Sequence, residues 1–344
     1  MTPPSERSFA SSRPEESASE RFRADTLEGF ALTPKRLAPK YFYDRAGSIL
    51  FDAICELPEY YVTRAETAIM QARAEEIVAS WGPRVRVVEP GAGSSTKTRL
   101  LLEALGPERC VEYVPVDISS EHLEHAATQL RSEYPWLTVT PATADFSVDL
   151  PMPAAEEGVR TVIYFPGSTI GNFDPADAER LLTRFRRAAG PGGIVVVGID
   201  LKKDPKILHA AYNDAQGITA AFNRNLLVRM NRELGADFDV ESFAHYAFYE
   251  PVHGRIEMHL VSLTRQTVTI DGQEFQFAEG ESIRTECSYK YDLPGTERLA
   301  RTAGLHLLHA WLDDDRRFAV LELRPVLSPV LSPVLWPAPR ATMK

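Results

Sequence analysis

Residues 84–93 read R-V-R-V-V-E-P-G-A-G. A β-branched run ends here in two glycines around one small residue. That is the pattern of a strand that stops where its backbone must turn tightly and let a ligand come close. A helical stretch follows, from residue 95 to about residue 105. Downstream the alternation recurs. Residues 112–117 (E-Y-V-P-V-D) read as a short strand weakened by Pro115. Residues 119–134 read as a helix capped by Ser119 or Ser120, and 137–143 as extended. Residues 160–165 (R-T-V-I-Y-F) form an apolar strand that stops at Pro166-Gly167. Residues 174–189 form an amphipathic helix closed by Gly190-Pro191-Gly192-Gly193. Residues 194–199 (I-V-V-V-G-I) are a continuous apolar run of the kind buried on both faces.

Strands alternating with helices predict an α/β fold with a parallel, Rossmann-like sheet. Right-handed crossovers then place ligands beyond the carboxyl ends of the strands. Gly91, Asp117, Asp145, Gly167 and Asp200 fall at those ends. After Asp200 the pattern breaks. Residues 204–234 are long and helical, 255–277 are strand-like with a turn at Asp271-Gly272, and 306–312 with 318–323 make a closing antiparallel pair. The expected organisation is a Rossmann-like core (65–201 and 291–325) carrying an inserted substrate-binding cap (202–290). The aromatic segment 21–64 joins the cap, because its apolar face needs a partner. Residues 1–20, rich in Ser, Pro and Glu, are expected to be a disordered leader. The tail, 326–344, is proline-rich.

Composition narrows the chemistry. A net charge of −10 repels phosphate backbones, so nucleic acid is not an expected substrate. No apolar run is long enough to span a bilayer. Cys55, Cys110 and Cys287 lie far apart with no C-x-x-C pair, which suits a reducing cytoplasm and offers no zinc or iron–sulfur frame. His122/His125 and His306/His309 lack a carboxylate or cysteine partner in register, so no metal is expected. A monomer is expected.

The glycine turn admits three nucleotide readings. A dinucleotide fingerprint needs a third glycine where Thr96 stands. A phosphate loop needs glycine directly before Lys97-Thr98, and Thr96 fails that too. S-adenosylmethionine carries no phosphate and needs neither device. Its ribose diol needs an acceptor, and Asp117 ends the second strand about 26 residues after Gly91. Asp145-Phe146 at the third strand end suits an adenine amine and ring. Either carboxylate alone is equally explained as a cap on the following helix or turn.

Six longer strings sharpen this reading: 43–52 (Y-D-R-A-G-S-I-L-F-D), 57–64 (L-P-E-Y-Y-V-T-R), 167–172 (G-S-T-I-G-N), 217–225 (G-I-T-A-A-F-N-R-N), 231–239 (N-R-E-L-G-A-D-F-D) and 284–290 (R-T-E-C-S-Y-K). On these the chain resembles the bacterial histidine-specific methyltransferases that form hercynine, the trimethyl betaine of histidine, in ergothioneine biosynthesis. The resemblance runs from about residue 40 to 323. It implies cofactor contacts at Gly91, Lys97, Asp117, Asp145 and Phe146. It implies histidine contacts at Tyr60, Asn172, Tyr212, Glu286 and Ser288, with Gly167 and Thr169 near the acceptor amine and Met258 beside the imidazole. Pro90, Ala92 and Cys287 depart from the family pattern without removing an implied contact.

The residue types suit that chemistry. Methyl transfer to an amine develops no oxyanion, so alignment matters most. Asn172 and the backbone at Gly167 are expected to orient the amine. Tyr60 is a weak proton relay at its ordinary pKa of about 10, and no dedicated base stands out. Asn172 and Tyr212 are expected to donate to the substrate carboxylate. Glu286 and Ser288, two apart in an extended segment, share a face and match the one donor and one acceptor of a neutral imidazole. Glu-x-Ser is equally unremarkable on a polar strand edge. Another amino acid such as tryptophan, or a non-catalytic sensor of the same ligands, are the competing expectations.

Overall fold

The computed structural model describes residues 18–93, 96–153 and 156–326. The leader expected at the amino end lies outside the described residues except for 18–20, which open a helix. The proline-rich tail lies outside them beyond residue 326.

The chain opens with α1 (Ala18–Ala31), β1 (Lys35–Arg36), α2 (Arg45–Cys55) and α3 (Tyr61–Ala79). The alternating core follows as β2 (Val85–Pro90), α4 (Thr96–Arg109), β3 (Cys110–Asp117), α5 (Ser120–Glu133), β4 (Thr138–Val139), β5 (Ala142–Thr143), β6 (Arg160–Phe165), α6 (Pro175–Ala189) and β7 (Ile194–Asp200). Next come α7 (Pro205–Tyr212), α8 (Ile218–Leu234), β8 (Phe243–Glu250), β9 (Arg255–Ser262), β10 (Gln266–Ile270), β11 (Gln273–Phe277) and β12 (Ser282–Tyr289). The chain closes with α9 (Leu293–Thr302), β13 (Leu305–Leu312) and β14 (Phe318–Pro325).

The large sheet runs β13-β14-β7-β6-β2-β3-β4, with β5 also beside β3. Strands β2, β3, β6 and β7 are parallel, and β14 enters antiparallel to β7. The Rossmann-like expectation therefore holds. Its central strands are buried on both faces because their residues alternate between two cores. Val85 and Val87 of β2 pack with Ile77 and Leu101 on one side, while Val88 packs with Leu181 and Phe185 of α6 on the other. Helix α6 ends at Gly190, whose φ of 77° stops the helix where glycine alone is unstrained.

Pro115 does sit inside a strand, and the sheet shows how. Its missing N–H would point to the outer neighbour, and the outer strand is broken there. β4 pairs with Glu112 and Tyr113, β5 with Val116 and Asp117, and nothing pairs between. The expected helix after the glycine turn runs to Arg109 but is kinked at Gly106 (φ 64°), ahead of Pro107. The single helical stretch expected over 204–234 is two helices, separated between Tyr212 and Ile218.

A second sheet runs β1-β12-β9-β8: the segment after β7 supplies β8, β9, β12 and the separate hairpin β10-β11, and the amino-terminal β1 joins it by pairing parallel to β12. The hairpin turns at Asp271 (φ 49°) and Gly272 (φ 76°), as its sequence requires. Helix α8 buries Phe222, Leu226, Leu227 and Met230 against this layer and against α2. The rings of Phe42 and Phe222 lie 4.5 Å apart. Asp44 caps α2 by accepting from the Gly47 N–H at 2.7 Å, and accepts from Asn225 of α8 at 2.9 Å. One carboxylate thus ties two of the quoted strings together. Among the described residues no helix is long and apolar enough to cross a membrane.

Candidate active site

Between the carboxyl ends of β2, β3, β6 and β7 and the face of β12 lies a cavity of about 940 Å³, within the range of small-molecule sites. Tyr60, Gly91, Lys97, Asp117, Asp145, Phe146, Gly167, Thr169, Asn172, Tyr212, Met258, Glu286 and Ser288 all line it. The two sets drawn from the sequence thus share one space.

The sheet side is built from turns. Gly91 takes φ +71° and donates to Val116 O at 2.7 Å, folding the chain back over the end of β3. A Cβ at Gly91 would lie 3.4 Å from the Phe146 ring, so the glycine turn and that ring stand side by side. Phe146 is fixed edge-on to Phe165, with centroids 5.4 Å apart. Asp117 accepts from the backbone N–H of Ser119 at 3.0 Å and of Gly93 at 3.5 Å. Asp145 accepts from Ser147 N at 3.0 Å and from the Lys40 ammonium at 3.2 Å. Both carboxylates therefore do cap their turns, and in capping are aimed at the cavity. Burial works against the charge on Asp145. The Ser147 hydrogen bonds and Lys40 outweigh it and hold the carboxyl below the usual range. Lys97 pairs with Glu66 of α3, whose Oε2 also accepts from Gly167 N at 2.9 Å.

Glu66 escaped the sequence reading. It is fully buried, and shares a helical face with Val62, Ile69 and Met70. A lone charge on an apolar face was the available signal. Lys40, Asp200 and Lys290 were likewise not assigned roles.

The cap side is built from distant side chains. Gly171 permits its formation: a Cβ there would meet Tyr289 O at 2.8 Å, so only glycine lets the turn carrying Asn172 lie against β12. In β12 the register shifts between Arg284 and Glu286, and Thr285 turns inward to donate to Asn223 Oδ1 at 2.7 Å. Glu286 and Ser288 then face the cavity together. Burial pushes the Glu286 carboxyl up to about 7, with the Lys290 charge opposing. Ser288 Oγ accepts from Tyr212 at 2.9 Å and from Lys290 at 2.7 Å. Lys290 also contacts the Tyr212 oxygen at 3.1 Å and Asp200 at 2.9 Å. The Tyr212 hydroxyl, expected to face a substrate carboxylate, is thus engaged with Ser288 and Lys290. Burial drives the Tyr60 phenol well above its ordinary pKa, which favours its neutral form. Its ring stands edge-on to Tyr212 at 6.4 Å.

The donor set fits S-adenosylmethionine. Asp117 keeps lone pairs for a ribose diol, Asp145 and Phe146 offer an acceptor and a flat face for adenine, and Lys97 offers a cation for a carboxylate. Nothing in the set is a phosphate cradle. With the strand order described above, this fold and site define a Rossmann-like methyltransferase that uses S-adenosylmethionine. The chain belongs to the S-adenosylmethionine-dependent, histidine-specific methyltransferase family, whose model matches residues 22–325. It is 40% identical to the histidine N-alpha-methyltransferase of Mycolicibacterium smegmatis over 87% of this chain and 93% of that one. It is 30% identical to ergothioneine biosynthesis protein 1 of Neurospora crassa, over 81% of this chain and 32% of that longer protein. A solved S-adenosylmethionine-dependent methyltransferase from Clostridium acetobutylicum aligns with a TM-score of 0.44 at 14% identity, over 75% of this chain and 91% of that one.

Proposed function

We propose that this enzyme methylates the α-amino nitrogen of L-histidine three times in succession, giving hercynine for ergothioneine biosynthesis. One observation carries the reading: Glu286 and Ser288 face the same cavity as the cofactor-type strand ends. A neutral imidazole has one N–H and one bare nitrogen. The Glu286 carboxylate accepts from the first, and the Ser288 hydroxyl donates to the second.

When bound, S-adenosylmethionine supplies an electrophilic methyl group, which the neutral amine takes while the C–S electron pair stays on sulfur. The protein's own part is alignment. Glu286 and Ser288 hold the ring at one end. Asn172 and the Gly167 backbone hold the amine at the other, within the turn that Glu66 anchors. Each ammonium formed loses a proton to water before the next transfer, and the trimethylated product keeps its charge. The rings of Tyr43, Phe51 and Tyr60 line the cavity and provide a cation-tolerant wall for that product.

The test is direct. The protein is incubated with S-adenosylmethionine and an equimolar mixture of histidine, tryptophan and tyrosine, and products are followed by mass. Histidine is expected to gain three methyl groups while the others stay unmodified. Faster methylation of tryptophan or tyrosine contradicts the substrate assignment.

A further inference from the structure

Lys290 is 3% exposed and points into the floor of the cap side of the cavity. Its ammonium has three protons and three partners: Asp200 Oδ2 at 2.9 Å, Ser288 Oγ at 2.7 Å and the Tyr212 oxygen at 3.1 Å. The Tyr212 and Ser288 oxygens are themselves 2.9 Å apart. Neutralising Asp200 does not require Lys290. Asp200 also pairs with Lys203 and accepts from the Tyr61 hydroxyl at 2.8 Å. The lysine is therefore more than one half of an ion pair.

The consequence follows from counting protons. The hydroxyl-to-hydroxyl contact uses one of the two hydroxyl protons, and neither oxygen can be supplied by the other and by Lys290 without leaving one proton over. A phenol is the more acidic partner and the poorer acceptor, so Tyr212 donates to Ser288. Ser288 then has both lone pairs occupied, by Tyr212 and by Lys290, and only a proton to offer the cavity. We propose that Lys290 is a specificity-setting positioning residue, which makes Ser288 an obligate donor and so restricts the site to side-chain rings bearing an unprotonated nitrogen. The inference rests on the histidine reading above and adds to it how the ring is selected. A ring with only N–H groups, or with carbon in place of the bare nitrogen, leaves the Ser288 proton unpaired in a buried site. Such unpaired groups give far stronger discrimination than a lost apolar contact. The Lys290 charge behind Ser288 acts in the same sense, by repelling a protonated ring.

The experiment compares kcat/KM for L-histidine with that for the two pyrrolylalanine isomers, taking the better isomer. Each keeps one N–H and replaces the other ring nitrogen by carbon. Wild type is expected to prefer histidine by on the order of 10³-fold. In Lys290→Met, Ser288 is free to turn, and the preference is expected to narrow by about tenfold or more. If the single variant folds poorly, Lys290→Met/Asp200→Asn removes both charges together and is read the same way. The readout is a ratio on one enzyme sample, so a loss of folded protein lowers both numbers and leaves it unmoved. A ratio held within about threefold of wild type overturns the inference and leaves the histidine reading intact. A wild-type enzyme that does not methylate histidine overturns the reading, and the inference with it.

Discussion

The two halves of the cavity are built on different principles. On the sheet side, the two strand-end carboxylates are set by their own short stretches of chain: Asp117 is fixed by Ser119 N and Asp145 by Ser147 N, each two residues on, with Lys40 and Glu66 reaching in from other elements to Asp145 and Lys97. On the cap side, the partners come from far apart. Tyr212 meets Ser288 across 76 positions, and Lys290 meets Asp200 at the end of a strand in the other sheet. The sheet side can hold its ligand through backbone geometry common to many sequences. The cap side depends on side chains that satisfy one another, so single changes there should redirect specificity rather than merely weaken binding.

The largest effect expected from this contrast is at Glu286. Glu286→Ala leaves a ring N–H unpaired opposite a buried wall, and the KM for histidine should rise by on the order of 10²-fold. The cofactor dissociation constant, measured by calorimetry, should stay within about threefold. Equal loss of both ligands would dissolve the division into two halves. The reciprocal change, Asp117→Asn, should weaken the cofactor by roughly tenfold and leave the histidine KM nearly unchanged at saturating cofactor.

The division is also visible in what the sequence shows unaided. The sheet side was legible because strands, glycine turns and strand-end carboxylates are local signals. Gly91, Asp117 and Asp145 each announce a turn as well as a ligand. Pro115 misleads for a physical reason: its missing N–H is accommodated by a break in a neighbouring strand that no local reading can see. The separation of α7 from α8 falls at Asn213-Asp214 and Gly217, turn-forming residues that interrupt the helical pattern within 204–234. Glu286 and Ser288 stood out only through their longer string, since Glu-x-Ser is common on strand edges. Glu66, Lys40 and Lys290 act through partners on other elements, and such pairings follow from the fold rather than from spacing.

A pH series sharpens the same comparison. The Glu286 carboxyl is pushed up to about 7, so it takes up a proton as pH falls from about 8 to 6 and ceases to be a pure acceptor. The histidine KM should rise roughly three- to tenfold over that interval. Asp145 is held below the usual carboxylate range, so cofactor binding should stay flat. Free histidine titrates nearby, and Glu286→Gln isolates the enzyme's share by removing its part of the slope.

The smallest expected effect is on stability, and its sign is informative. The raised Glu286 pKa means that the folded protein holds a proton which the unfolded chain releases above about 4.5. This side chain's contribution to stability is therefore greatest at low pH and falls as pH rises from about 4.5 to 7. Glu286→Gln should raise the melting temperature at pH 8 by a few degrees, about 1–3 kcal/mol, and change little near pH 4.5. A stabilising change at a ligand-contacting residue is expected where a desolvated charge serves binding at the expense of the fold.

The most direct test of the two-sided site is a crystal structure with S-adenosylhomocysteine and L-histidine bound together. The imidazole is expected between Glu286 and Ser288, with the α-amino nitrogen beside Gly167 and facing the sulfur. A ring bound elsewhere, with Glu286 and Ser288 contacting only protein or solvent, would contradict it.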